Sequence, residues 1–141
     1  MKTQKQITKK MFILMSHTIT SAQKSDAIER FNVSEFIVIP SEQWGQIPAD
    51  ADSVCNYTSA LKIFLNKHAN KGDILLVQGD FGATINMVHF AFQQEIIPVY
   101  ATTKRSAKEI IEGDKITTVR EFRHVRFRIY ETQCLKLSKR K

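Results

Sequence analysis

The sequence predicts an α/β fold: a mostly parallel sheet flanked by helices and extended by β structure at its C-terminal side. Three observations predict it. Ile74, Leu75, Leu76 and Val77 form an unbroken apolar run, as expected of a strand buried on both faces. A turn containing Gly79 and Gly82 leads from that run into the apolar stretch 83–92, which reads as a buried helix. Residues 115–130 instead alternate between apolar and polar, the pattern of a two-faced strand.

Each remaining element follows in chain order. Residues 1–10 are a basic lead-in, 11–132 a single domain, and 133–141 a basic tail. Met11, Phe12, Ile13, Leu14 and Met15 make a strand that ends at Ser16 and His17. Thr20 with Gln23 three residues later is a capping box, which starts a helix over 21–31. A second strand over 36–39 stops at Pro40, and a right-handed crossover sets the two strands parallel. Residues 41–48, which hold the single tryptophan, form one helical turn before a polar loop. Tyr57, Leu61, Phe64, Leu65 and His68 recur at helical spacing and place a helix over 54–69, ended by Asn70, Lys71 and Gly72.

After the central helix, residues 96–100 read as a fourth strand. Pro98 makes it an edge strand or delays its start. Residues 101–105 leave it as a polar, cationic loop. Ser106 with Glu109 forms another capping box, and Gly113 suits the position after a helix end. In the last strand Val125, Phe127 and Ile129 face one way, and His124, Arg126 and Arg128 the other. Ile116 and Phe122 have the opposite parity, which requires a bulge or bend near Arg123.

At 141 residues the chain is one domain, long enough for a real core. No apolar run is long enough to cross a bilayer, so no membrane partner is expected. The basic lead-in and the apolar run after it imitate a signal peptide only faintly, without a small-residue cleavage site. Cys55 and Cys134 are the only cysteines and form no disulfide framework, which points to a reducing cytoplasm. The net charge of +7 sits at the ends: setting aside Lys2, Lys5, Lys9, Lys10, Lys136, Lys139, Arg140 and Lys141 leaves 13 basic against 14 acidic residues. The domain body is therefore no generic polyanion binder, and no DNA partner is expected.

In such sheets ligands collect beyond the carboxyl ends of the strands. Three ends supply Ser16 and His17, then Gln78, Gly79, Asp80, Phe81 and Gly82, then Thr102, Thr103, Lys104 and Arg105. Hydroxyls, an imidazole, free backbone amides, an aromatic face and two cations suit a phosphodiester and a base. Each has a structural counterpart: the glycines serve a tight turn, the threonines satisfy a strand end, and His17 packs. Two cations at a helix start oppose the helix dipole and favour an anion nearby. His124 and Arg126 are either a basic strip or a solvated strand face, and His89 is a core histidine. No CxxC, HExxH, GxSxG or GxxxxGK[ST] occurs, so neither a metal site nor any other cofactor is expected. Asp80-Phe81-Gly82 matches the kinase tripeptide, but the chain is too short and lacks the other kinase loops.

Four segments carry a family resemblance: the strand ending in Ser16 and His17, the block from Val77 to Thr84, the block from Pro98 to Arg105, and the strand from Phe122 to Tyr130. Together they resemble small stand-alone CRISPR-associated proteins of the Csx type. These belong with the Rossmann-fold, CARF-like sensors and ring nucleases of type III CRISPR systems. The resemblance implies a Rossmann-like (CARF-like) domain acting as a homodimer. It implies binding of a cyclic oligoadenylate, foremost cyclic tetra-adenylate, and its cleavage to end the antiviral signal.

The cleavage that resemblance implies needs no metal, because each ribose 2′-hydroxyl lies beside a scissile phosphate and can be held in line with it. His17 would orient or deprotonate the hydroxyl, or protonate the leaving oxygen. Lys104 and Arg105 would stabilise the charged intermediate, and Thr103 with the amides after Gln78 would fix the phosphate. Phe81 or Tyr100 would stack adenine. Ser16, Gly79, Asp80, Gly82 and Thr84 complete the expected ligand contacts, with Thr102, His124 and Arg126 on the last two strands. Three other readings stay open: a module that binds the ring without cutting it, a general RNA binder using the basic ends and Arg126, and a nucleotide-binding metabolic enzyme of the same fold class.

Overall fold

The computed structural model describes residues 7–133. The elements are β1 (Lys9–Leu14), α1 (Ser21–Phe31), β2 (Val33–Val38), a single 3-10 turn (Trp44–Gln46), α2 (Cys55–His68), β3 (Ile74–Val77), α3 (Phe81–Gln93), β4 (Ile97–Glu112) and β5 (Lys115–Ile129). The sheet order is β2-β1-β3-β4-β5. The first four strands in that order run parallel, and β5 returns antiparallel to β4.

Alternation along the short strands builds the two core layers. Phe12, Leu14, Leu75 and Val77 turn toward α2 and α3, where they meet Leu61, Leu65, Ala83, Met87 and Ala91. Met11, Ile13, Ile74 and Leu76 turn the other way, toward Ala27 of α1, with Val99 and Phe127. Both faces of β1 and β3 are buried, which is why these strands read as continuous apolar runs. At the amino ends, the buried Asp73 carboxylate accepts from the N–H groups of Lys10 (3.1 Å) and Asn70 (2.8 Å). Lys9 and Lys10 therefore belong to β1 and not to a lead-in. The rest of that basic stretch, residues 1–6, lies outside the described residues, as do Cys134 and nearly all of the basic tail.

The capping box at α1 forms as expected: Thr20 Oγ1 accepts from the Gln23 N–H at 3.2 Å, and Gln23 Oε1 accepts from the Thr20 N–H at 2.9 Å. Asn32 closes the helix in the left-handed region. The second expected capping box does not form. Ser106 and Glu109 lie inside β4, and Gly113 (φ 61°) sits in the tight turn between Glu112 and Lys115. Glycine at the first turn position supplies the positive φ that a two-residue hairpin needs.

β4 is not an edge strand, since β3 and β5 flank it. Pro98 is tolerated because it lies one residue before the β4–β5 register begins, at Val99 and Ile129, where no ladder bond requires the N–H it lacks; its carbonyl accepts from Tyr130 N–H at 3.0 Å. The register slips between Thr102 and Thr103, leaving Val125 as the bulged residue, two positions from the bend expected near Arg123. The parallel ladders together are shorter than the single antiparallel one, so the sheet is mostly parallel by strand and not by paired length. Beyond Thr102 no further strand among the described residues lies beside the β4–β5 pair, which projects from the sheet as a two-stranded arm.

Candidate functional site

The chain leaves β1 toward α1 on one face of the sheet and leaves β3 toward α3 on the other. Adjacent parallel strands with diverging exits open a crevice at their carboxyl ends. A cleft of about 850 Å³ lies there. Its floor is Met15 and Gln78, one wall is the start of α1, and the other wall is the root of the arm.

Of the expected site residues, His17, Gln78, Thr103 and His124 line this cleft. Gln78 holds it open structurally. Its backbone N–H donates to Leu14 O at 3.2 Å, and its side-chain Oε1 accepts from Ala101 N–H at 3.0 Å. The β3–β4 ladder ends at Leu76 and Val99, so this side chain extends the pairing past the last strand bond. Ser21 and Ala22, in the first turn of α1, also face the cleft. A helix start offers backbone N–H groups and a positive dipole end to an anion.

The other expected residues are distributed differently. Ser16 packs its Cβ against Gly45, so that a Cβ on the glycine would lie 3.1 Å away. Gly79 serves packing: a Cβ there would approach Trp44 Nε1 to 2.6 Å, and that indole donates to Gln78 O at 3.0 Å. Asp80 caps α3, its Oδ1 accepting from Ala83 N–H at 2.9 Å, which uses one of the helix-start amides. Phe81 is 89% exposed beside it. Gly82 and Thr84 lie in the first turn of α3, and Thr84 lines a smaller recess with Tyr130. His89 lines the same recess and is exposed, not a core residue.

Strand alternation separates the expected cations. Lys104 and Arg105 are successive residues of β4, not a loop at a helix start, so they point to opposite faces of the arm. Arg105 shares its face with Thr103 and lies over the Phe122 ring, 5.3 Å from its centroid, at the cleft rim. Lys104 shares the other face with Tyr100 and Thr102. There the Tyr100 hydroxyl accepts from Arg128 Nη1 at 3.0 Å, and Thr102 Oγ1 donates to Arg126 O at 2.9 Å across the bulge.

The bulge also breaks the expected basic strip. His124 turns to the α1 face with Phe127, ring centroids 4.7 Å apart, whereas Arg126 and Arg128 keep the parity of Tyr130. His124 Nε2 meets Asp26 Oδ2 of α1 at 2.8 Å, and the same carboxylate oxygen accepts from Phe127 N–H at 2.9 Å. His124 Nδ1 is buried and finds no partner among the described residues. Asp26 and Phe122 are not among the site residues that the sequence predicts. The signal for Asp26 was its i,i+4 spacing to Arg30, with which it pairs at 3.4 Å.

Among the described residues no group of three or more His, Cys, Asp or Glu side chains converges as a metal site would require. No helix there is long and apolar enough to cross a membrane. Residues 9–128 match the family described as the uncharacterized protein MJ1673 family. The chain belongs to that family. It is 50% identical over 124 residues to uncharacterized protein MJ1673 of Methanocaldococcus jannaschii, covering 86% of this chain and 96% of the relative. No solved structure matches it. The matched segment takes in β1 to β4, all of β5 but Ile129, and every residue that lines the large cleft.

Proposed function

We propose that this chain is a Rossmann-like, CARF-like domain that acts in the cytoplasm as a homodimeric ring nuclease. It binds a cyclic oligoadenylate, foremost cyclic tetra-adenylate, and cleaves it without a metal. The observation that carries the reading is the cleft itself: His17, Thr103 and the first turn of α1 face one another across the carboxyl ends of β1 and β3. Its volume lies near the upper end for a single-ligand site, about 300–1,000 Å³.

In this reading the N–H groups at the start of α1 and the Thr103 hydroxyl hold a phosphate. His17 takes the proton from the adjacent ribose 2′-hydroxyl, whose oxygen attacks the phosphorus in line. The bond from phosphorus to the ribose 5′-oxygen breaks and that oxygen takes a proton from water, giving a linear product that ends in a 2′,3′-cyclic phosphate and a 5′-hydroxyl. Nucleophile and phosphate are already joined in the free ring, so binding acts by holding the 2′-oxygen in line with the bond that breaks. Arg105 on the cleft face, held over the Phe122 ring, stabilises the charge that develops. Lys104 faces away from the cleft of its own chain.

The decisive assay incubates the protein with cyclic tetra-adenylate in EDTA and resolves the products. Linear fragments formed over many turnovers support the reading. A ring that stays bound and intact identifies a sequestering protein instead, and a ring that does not bind ends the proposal. Arg105→Ala should lower turnover by about a hundredfold, the scale of losing one charge-stabilising donor. Lys104→Ala should leave it within a few-fold, and equal losses in the two variants would place the site on both faces of the arm.

A further inference from the structure

The arm carries one face that a lone chain leaves unused. Directly opposed residues of an antiparallel pair share a face. One face therefore reads, from tip to root, Ile111 with Ile116, Glu109 with Thr118, Ala107 with Arg120, Arg105 with Phe122, and Thr103 with His124. Ile111 is 68%, Ile116 64% and Phe122 62% exposed, the most exposed apolar side chains on the arm. A two-stranded ribbon with nothing packed on it is marginal in water. Exposed apolar side chains in line along such a ribbon mark a contact surface.

Charge along this face says what covers it. Its tip half carries Glu109, and its root half carries Arg105 and Arg120. A face with two isoleucines and a carboxylate toward its tip, and cations and an aromatic ring toward its root, complements itself when a second copy lies on it in the opposite direction.

We propose that a second copy of this chain docks here, arm on arm, about a two-fold axis across the arms. The contact is isologous: each Glu109 meets the basic root of the other arm, and each pair of tip isoleucines covers the other copy's Phe122. Because Phe122 stands at the rim of the large cleft, the tip of one arm roofs the cleft of the other. That the roofed cleft is the nucleotide site rests on the ring-nuclease reading; the interface does not.

Analytical ultracentrifugation of the full chain tests this. The wild type should sediment at twice the chain mass. Ile111→Lys with Ile116→Lys should sediment at the single mass with an unchanged far-ultraviolet circular dichroism spectrum. Glu109→Arg alone, and Arg105→Glu with Arg120→Glu alone, should each be monomeric, because each sets like charges together. Mixing these two charge variants should restore the double mass.

A monomeric wild type, a dimeric Glu109→Arg variant or a mixture that stays monomeric would overturn the proposal. So would a lysine variant that keeps the double mass, which would move the contact to another surface such as the open edge of β5. A dimer with these properties that ignores cyclic tetra-adenylate keeps the interface and retires the functional reading. A monomer that cuts the ring does the reverse.

Discussion

The two glycines of the β3–α3 turn, three residues apart, have different physical roles. Gly79 is small so that the Trp44 indole can lie against the backbone and donate to Gln78 O. Gly79→Ala should therefore lower stability by about 1–3 kcal/mol, the cost of overpacking, read from urea unfolding. Gly82 has no such constraint, since its added Cβ would meet nothing closer than 3.6 Å. Gly82→Ala should leave stability unchanged or raise it by up to about 1 kcal/mol. A similar loss in both variants would show that turn conformation, and not the Trp44 contact, sets the requirement.

Tyr130 gives a pH dependence with a defined sign. Its hydroxyl donates to Val77 O at 2.7 Å, and its pKa is raised above 10.0, first by burial and then by the neighbouring Tyr100. The unfolded chain releases this proton at lower pH than the folded chain does. The stability it provides is thus full below about pH 10 and falls as the pH climbs toward and past the raised folded value. Tyr130→Phe should lose about 1 kcal/mol at neutral pH and show a shallower alkaline decline, both read from urea unfolding.

At the scale of elements, α1 and the arm are clasped by one carboxylate. Asp26 accepts from Phe127 N–H and His124 Nε2 and pairs with Arg30, whose Nη2 also donates to Phe127 O at 3.3 Å. Asp26→Ala leaves buried donors without a partner, so it should cost about 1–3 kcal/mol for each one orphaned. Urea unfolding of the variant checks this, and a loss of a few tenths would mean that water replaces the carboxylate.

The same elements show why some of the fold was legible and some was not. The Ile74–Val77 strand and the Thr20–Gln23 capping box are local signals that tertiary structure reinforces. Ser106 to Glu112 spells a helix start just as well, with Ala107, Lys108 and Glu109 as good helix formers. There the long-range ladder to β5 decides the conformation, and no neighbouring residue announces it. The candidate site suffered from the same substitution. In a loop Lys104 and Arg105 can serve one phosphate, but in a strand they are divided between two faces. His124 was expected beside Arg126, and the Val125 bulge turned it to the α1 face, where it met a carboxylate distant in sequence.

At the scale of the whole molecule, a parallel sheet with β1 and β3 buried at its centre bears an arm that is almost wholly exposed. Amides of β1 and β3 should exchange with solvent only through global unfolding. Those of Ser106 to Val119 should exchange fast in dilute protein and slow down as concentration rises, if arms pair between copies. Hydrogen exchange at two concentrations measures this, and concentration-independent rates in the arm would count against the pairing.

β4 runs without interruption from Ile97, beside the buried β3, to Glu112 at the hairpin turn. At about 3.3 Å per residue, the arm beyond Thr102 reaches roughly 33 Å, comparable to the ~30 Å width of a small domain. An isolated chain is then a ball with a mast, and X-ray scattering from it should show a long tail in the pair-distance distribution. When two masts are lashed side by side, the particle doubles in mass while its greatest length grows far less than end-to-end stacking would require.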